Sequence, residues 1–337
     1  RYIFLMWVVI VFGSILLSIV GGLQTPLGNN GIGNPWDFLG KNIWGKTPSR
    51  SGKTPVSILV CPAQFCVPID YDILFDNLRQ SLGENCLGTC RVAPLPRTEW
   101  IKVAKSLPTR EYLDGTLQNY KTLSWYFDAI EVALNEILEE QGPNANICII
   151  GHSIGGWVAR AFLGGLSQST SPTVEWAQGR VTSLVTLGTP HISPDGALVD
   201  QTRGLLREVE ATPECSASYL TQRGISVICV GSSSLRGDFF TTNLEEFVAA
   251  TSYLPLLGRL DNSIRGDGII PTELAFLESP ARSVLLDVCP ETGDLIRHAH
   301  VFPTPWNLWD GSAASISLPF TWYGSSRVIG TWAQYIR

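Results

Sequence analysis

Ser153 is the residue best placed for chemistry. It lies in Gly151-His152-Ser153-Ile154-Gly155, directly after the apolar run Ile147-Cys148-Ile149-Ile150 and directly before a stretch of helical character from Gly155 to Leu166. A GxSxG pentapeptide alone is a weak signal, because glycine and serine are common. Between a strand and an amphipathic helix it specifies a sharp turn that lifts the serine hydroxyl above the end of a sheet. Glycines at 151 and 155 remove the Cβ atoms that would crowd such a turn. The helix behind Ser153 aims backbone N–H groups and its positive end at an oxygen that gains charge. The chemistry expected is nucleophilic attack on a carbonyl.

A serine nucleophile needs a base, and the chain has only four histidines, at 152, 191, 298 and 300. The side chain of His152 points away from its neighbour Ser153. His191 follows Leu187-Gly188-Thr189-Pro190, upstream of every acid candidate. Proteins built on this turn carry serine, then Asp or Glu, then histidine along the chain. That order leaves His298 and His300, both late in the chain, as the candidate bases. The acid expected is Asp267, in the loop Gly266-Asp267-Gly268-Ile269-Ile270-Pro271, where flanking glycines let the carboxylate turn toward an imidazole. An ordinary surface-turn aspartate is the plain alternative, and Asp261 and Asp294 are rivals. The amide of Ile154 supplies one oxyanion donor, and by position the amide of Gln64, in Cys61-Pro62-Ala63-Gln64-Phe65, supplies the other.

The elements needed to hold these residues are legible as alternating runs. Strands are expected at Val56–Val60, Arg91–Leu95 (weaker), Asn146–Ile150, Val181–Leu187, Ile225–Val230 and Ser283–Val288. Helices are expected at Asp70–Leu82, over 123–140 and at Gly155–Leu166. Short apolar strands separated by helices imply right-handed crossovers and a mostly parallel sheet flanked by helices, an α/β fold. Residues 232–265 show no clear strand. With Phe239, Phe240, Phe247, Leu254, Leu256 and Leu257 they read as an insertion suited to a lid over an apolar pocket.

Composition narrows the function. The 337 residues carry 24 Lys+Arg against 30 Asp+Glu, with 45% hydrophobic and 16% charged residues. There is no basic excess to neutralise phosphates, which argues against nucleic-acid binding. Eleven tryptophans and thirteen phenylalanines point to a large core or an apolar partner such as lipid. The eight cysteines lack zinc-site spacing, so no metal and no organic cofactor are expected. Cys148 and Cys229 sit in apolar runs as small buried hydrophobes, and Cys86 and Cys90 are close enough in sequence to pair, although free thiols are favoured. No Asn-x-Ser/Thr sequon occurs.

Residues 1–23 have a separate character. From Tyr2 to Leu23 no charge occurs, and a helix of that length, about 33 Å, would cross a hydrocarbon core. The expectation is a transmembrane anchor at 1–23, a Gly/Asn/Pro/Ser-rich linker at 24–53, and a catalytic domain at 54–337. Cleavage of a signal at Gly21-Gly22 is the alternative. Lys41, Lys46, Arg50 and Lys53 after the span favour a cytosolic or stromal body. A single-pass membrane location follows, with plastid and endomembrane both open.

Residues 54 onward resemble the α/β-hydrolase superfamily, and within it the short plant and cyanobacterial lipase-like hydrolases related to GPI inositol-deacylases. The resemblance rests on GHSIGGWVARAF, VTLGTPH at 185–191, DQTRGLL, GDGIIP and the closing WYGSSRVIGTW. Two features depart from it: Ala63 stands where many relatives have glycine, and the stretch from Val288 to His298 is long. The match of Arg297-His298-Ala299 to the family's terminal histidine segment favours His298 over His300. The resemblance implies a serine hydrolase that cleaves acyl esters, with a lipid or small ester as substrate. Alternatives are an acyltransferase using the same nucleophile and a non-catalytic, membrane-tethered binding protein on the same fold.

Overall fold

The computed structural model describes residues 55–168, 179–198, 200–259, 261, 263–302 and 312–336. The expected anchor at 1–23 and the linker at 24–53 lie outside the described residues. Among the described residues, no helix is long and apolar enough to cross a membrane.

Six strands form one parallel sheet. They are β1 (Val56–Cys61), β2 (Leu87–Val92), β3 (Asn146–His152), β4 (Val181–Leu187), β5 (Ser226–Ser232) and, after two short strands of an insertion, β8 (Arg282–Leu286). The order across the sheet is β2-β1-β3-β4-β5-β8, and every pairing is parallel. The strand period of two sorts the side chains onto two faces. Leu59, Ile147, Ile149, Leu184 and Val227 join one core with α2 (Ser124–Gln141) and α3 (Ile154–Leu163). Ile58, Val60, Cys148, Ile150, Val185 and Ile228 join the other with α1 (Asp72–Leu82) and the C-terminal helix α7 (Ser326–Ala333). Helices cover both faces, which explains why the central strands carry apolar residues on both of their faces.

Two expectations need correction. The second strand lies at Leu87–Val92, earlier than Arg91–Leu95. Pro94 has no N–H for a ladder, and the chain leaves the sheet after Ala93 donates to the Val60 carbonyl at 2.9 Å. The insertion after β5 does contain strands: β6 (Leu235–Arg236) pairs antiparallel with β7 (Arg265–Gly266). Between them runs α6 (Leu244–Leu257), whose Ala249, Tyr253 and Leu257 pack on Leu235, Ile264, Ile270 and Leu274. The two short strands are thus the neck of a helical excursion. Phe240, at its outer turn, is 99% exposed. The extra length between Val288 and His298 is also accounted for, because Val288 bridges back to Leu295 and returns the chain to the sheet end.

Candidate active site

The sheet's C-terminal edge gathers the expected residues. β3 ends at His152, and Ser153 begins the turn into α3 with φ 55° and ψ −126°. A non-glycine residue at positive φ is strained by about 1–3 kcal/mol, and such strain persists only where neighbours over-determine it. They do so here. The Ser153 N–H donates to the Leu187 carbonyl at 2.9 Å, and Thr189 Oγ1 donates to the Ser153 carbonyl at 2.8 Å. The start of α3 presses on the end of β1 so closely that a Cβ at Gly155 would collide with the Cys61 carbonyl.

Asp267 and His298 meet although 31 residues separate them. His298 Nδ1 donates to Asp267 Oδ2 at 2.8 Å, and the His298 N–H donates to the Asp267 carbonyl at 2.9 Å. The other carboxylate oxygen accepts the amides of Ile269 at 3.0 Å and Ile270 at 2.7 Å. Burial by itself would raise the Asp267 pKa, but the charge and hydrogen bond of His298, the Ile270 amide and Tyr323 together hold it below the usual carboxylate value. An ionised Asp267 places the proton on Nδ1 and leaves Nε2 of His298 as the lone-pair nitrogen. Gly188, just past β4, passes between these groups at φ 55°. A Cβ there would stand 2.6 Å from Asp267 Oδ2 and 3.0 Å from His298 Nδ1.

Ser153 Oγ makes no hydrogen bond among the described residues, so the serine–histidine link is not closed here. Such links often tighten only when substrate is bound. Of the expected oxyanion donors, the Ile154 N–H is the first of α3 and has no helical acceptor. The Gln64 N–H makes no hydrogen bond among the described residues. It sits in the turn closed by Cys66 N–H to the Ala63 carbonyl at 3.0 Å, with Phe65 at φ 61°. The Ala63 amide is already taken by Tyr71 Oη at 2.8 Å.

The remaining candidates are placed elsewhere. His300 stacks on Trp322, with ring centroids 4.4 Å apart, and its Nδ1 is buried without a partner among the described residues. His191 lies between Arg160 and Thr186. Asp261 pairs with Arg259 and Ser263, and Asp294 accepts from Thr292, so neither rival acid touches a histidine. All eight cysteines, Cys86 and Cys90 included, are free thiols. No cluster of metal-ligating side chains occurs among the described residues.

Sequence reasoning missed Tyr323. Its hydroxyl is buried and donates to Asp267 Oδ2 at 2.8 Å, while its carbonyl accepts Trp332 Nε1–H at 2.9 Å. The segment WYGSSRVIGTW carried a signal, but nothing in it says which residue faces the acid. Residues 116–240 match the family model described as PGAP1-like alpha/beta domain. The matched segment holds Ser153 and the strand and helix on either side of it. No curated protein matches the sequence. Among solved structures, the metagenomic carboxyl esterase MGS0156 is similar at 9% identity and a TM-score of 0.40, over 96% of this chain and 90% of that one. The RedJ thioesterase of the prodiginine pathway in Streptomyces coelicolor is similar at 15% identity and a TM-score of 0.28, over 57% of this chain and 80% of that one.

Burial also sets a pH dependence for the folded chain. Burial lowers the pKa of His152 to about 3, with His298 and His300 adding to the effect, and it lowers His191 and His300 as well. Below pH about 6.5 the unfolded chain takes up protons at these histidines that the folded chain refuses, so stability is full above that pH and falls toward pH 3. His152 alone would remove about 2 kcal/mol at pH 5 relative to pH 8. Thermal melts should show a Tm several degrees lower at pH 5 than at pH 8. A flat profile across that range would mean that the histidines are solvated.

Proposed function

We propose that the chain hydrolyses acyl esters of a lipid through Ser153, His298 and Asp267. The observation that carries this reading is the strained Ser153 at the strand–helix turn, on the same sheet edge as the paired Asp267 and His298. Ser153 Oγ attacks the ester carbonyl as His298 Nε2 takes its proton. The oxyanion is held by the amides of Gln64 and Ile154, and His298 then protonates the departing alcohol. Asp267 stabilises the imidazolium without taking its proton. Water, activated by the same histidine, releases the acid and restores the serine. An apolar substrate is supported by the half-buried Phe65 and Ile154 beside these amides, both packed on the core that contains Trp100 and Trp125.

The test is a fluorophosphonate probe on purified protein, followed by a panel of short-chain, phospholipid and galactolipid esters with water or an added alcohol as acceptor. Labelling that requires Ser153, with release of free fatty acid from a lipid ester, is expected. Transfer of the acyl group to the alcohol in preference to water would replace hydrolase by acyltransferase. No labelling at all would leave a binding protein.

The same reading places the enzyme at a membrane, through the apolar stretch Tyr2–Leu23. Protein that keeps this stretch should remain with membranes in alkaline carbonate, because a span is held by apolar burial and not by charge. Its release would remove the anchor and leave the hydrolase reading intact.

A further inference from the structure

His152 is buried beside the nucleophile, yet the proposed mechanism does not use it. Its two ring nitrogens are both engaged, by groups from opposite sides of the site. Nδ1 is 2.9 Å from Tyr71 Oη, and Nε2 is 3.0 Å from the His298 carbonyl. Tyr71 Oη in turn lies 2.8 Å from the Ala63 amide nitrogen. The direction of this chain is forced. The Ala63 N–H can only donate, so Tyr71 Oη accepts it and sends its own hydrogen to His152 Nδ1. His152 is then the Nε2–H tautomer, and that N–H donates to the His298 carbonyl, which can only accept. Every donor and acceptor along the chain is satisfied by one neutral arrangement. Burial, which takes the His152 pKa to about 3, keeps it so. Cys66, beside Tyr71, has its thiol pushed up to about 12 and stays protonated.

The ends of this chain matter most. Ala63 immediately precedes Gln64, whose amide makes no hydrogen bond among the described residues and is the proposed oxyanion donor, and His298 carries the proposed base. Resting on the serine-hydrolase reading above, we propose that Tyr71 and His152 are positioning residues that fix the distance between the oxyanion-binding loop and the catalytic histidine. A shift of about 1 Å between those groups is enough to cost about 10²-fold in rate. A buried polar network serving stability alone would have no reason to end at both halves of the site.

The test compares Tyr71→Phe, His152→Leu, His152→Gln and the Tyr71→Phe/His152→Leu double variant on a water-soluble ester, with thermal melts to show that each is folded. Tyr71→Phe keeps the ring and should lower kcat about 10- to 100-fold with KM within about twofold. His152→Leu should do the same, and the double variant should be no worse than the poorer single one, because one chain is cut once. His152→Gln, whose carbonyl and amide replace Nδ1 and Nε2–H, should recover to within a few-fold of wild type. Unchanged kcat in Tyr71→Phe, multiplying losses in the double variant, or equal losses in the Gln and Leu variants would each overturn the proposal. If the wild-type chain itself neither labels nor turns over, the hydrolase reading fails first and this inference falls with it.

Discussion

Ser153→Ala should lose about 10⁴-fold or more in kcat/KM on an ester, and Ser153→Gly should lose as much while becoming more stable than the wild type. The first half follows from chemistry: without Oγ only the oxyanion donors and substrate binding remain, and they alone give a small residual rate. The second half follows from the backbone. At φ 55° and ψ −126° Ser153 occupies a conformation that glycine adopts freely and other residues adopt at a cost. Relief of about 1–3 kcal/mol of strain, set against glycine's entropic penalty of about 0.5–1 kcal/mol, leaves a gain of about 1 kcal/mol. That corresponds to a Tm increase of about 2–4 °C. Ser153→Ala keeps the strain and should melt within about 1 °C of wild type. Strain is therefore a marker separate from activity. Wild-type-like turnover in either variant would remove Ser153 as the nucleophile, and a Gly variant that melts no higher than the Ala variant would show that the turn is relaxed.

The parts of the site legible in the sequence are those set by local geometry or by order along the chain. The glycine spacing around Ser153 reports a crowded turn, and the glycines flanking Asp267 report a loop in which a carboxylate is free to turn. Both are set within a few residues. The same holds for the central strands, whose continuous apolar runs mean burial on both faces. What escaped the sequence depends on distant partners. Tyr323 reaches Asp267 across 56 positions and Tyr71 reaches His152 across 81, and no periodicity encodes which tyrosine hydroxyl points inward. β6 and β7 are two residues each, too short for an alternation to register. β2 is an edge strand of intermediate burial, so its pattern LGTCRV lacks the apolar run that marks its neighbours.

The choice between the two late histidines gives a prediction of comparable size, and here the structure separates residues that the sequence leaves two positions apart. His298→Ala should reduce kcat by about 10⁴-fold, because in the proposed mechanism it removes the group that takes the serine proton. Asp267→Asn should approach that loss, since an amide facing Nδ1 favours the wrong tautomer. His300 faces differently. Its ring lies flat on Trp322, and its backbone carbonyl accepts the Leu318 N–H at 2.7 Å. His300→Ala should therefore act on stability, by about 1–3 kcal/mol through the space left against the indole, with kcat per folded molecule within a few-fold of wild type. His300→Phe decides the point, because it keeps the stack and removes a buried ring nitrogen without a described partner. It should be at least as stable as wild type and fully active. Active-site titration with a fluorophosphonate supplies the count of folded sites needed to compare these variants. A loss in His300→Phe as large as that in His298→Ala would make His300 the base and reverse the assignment.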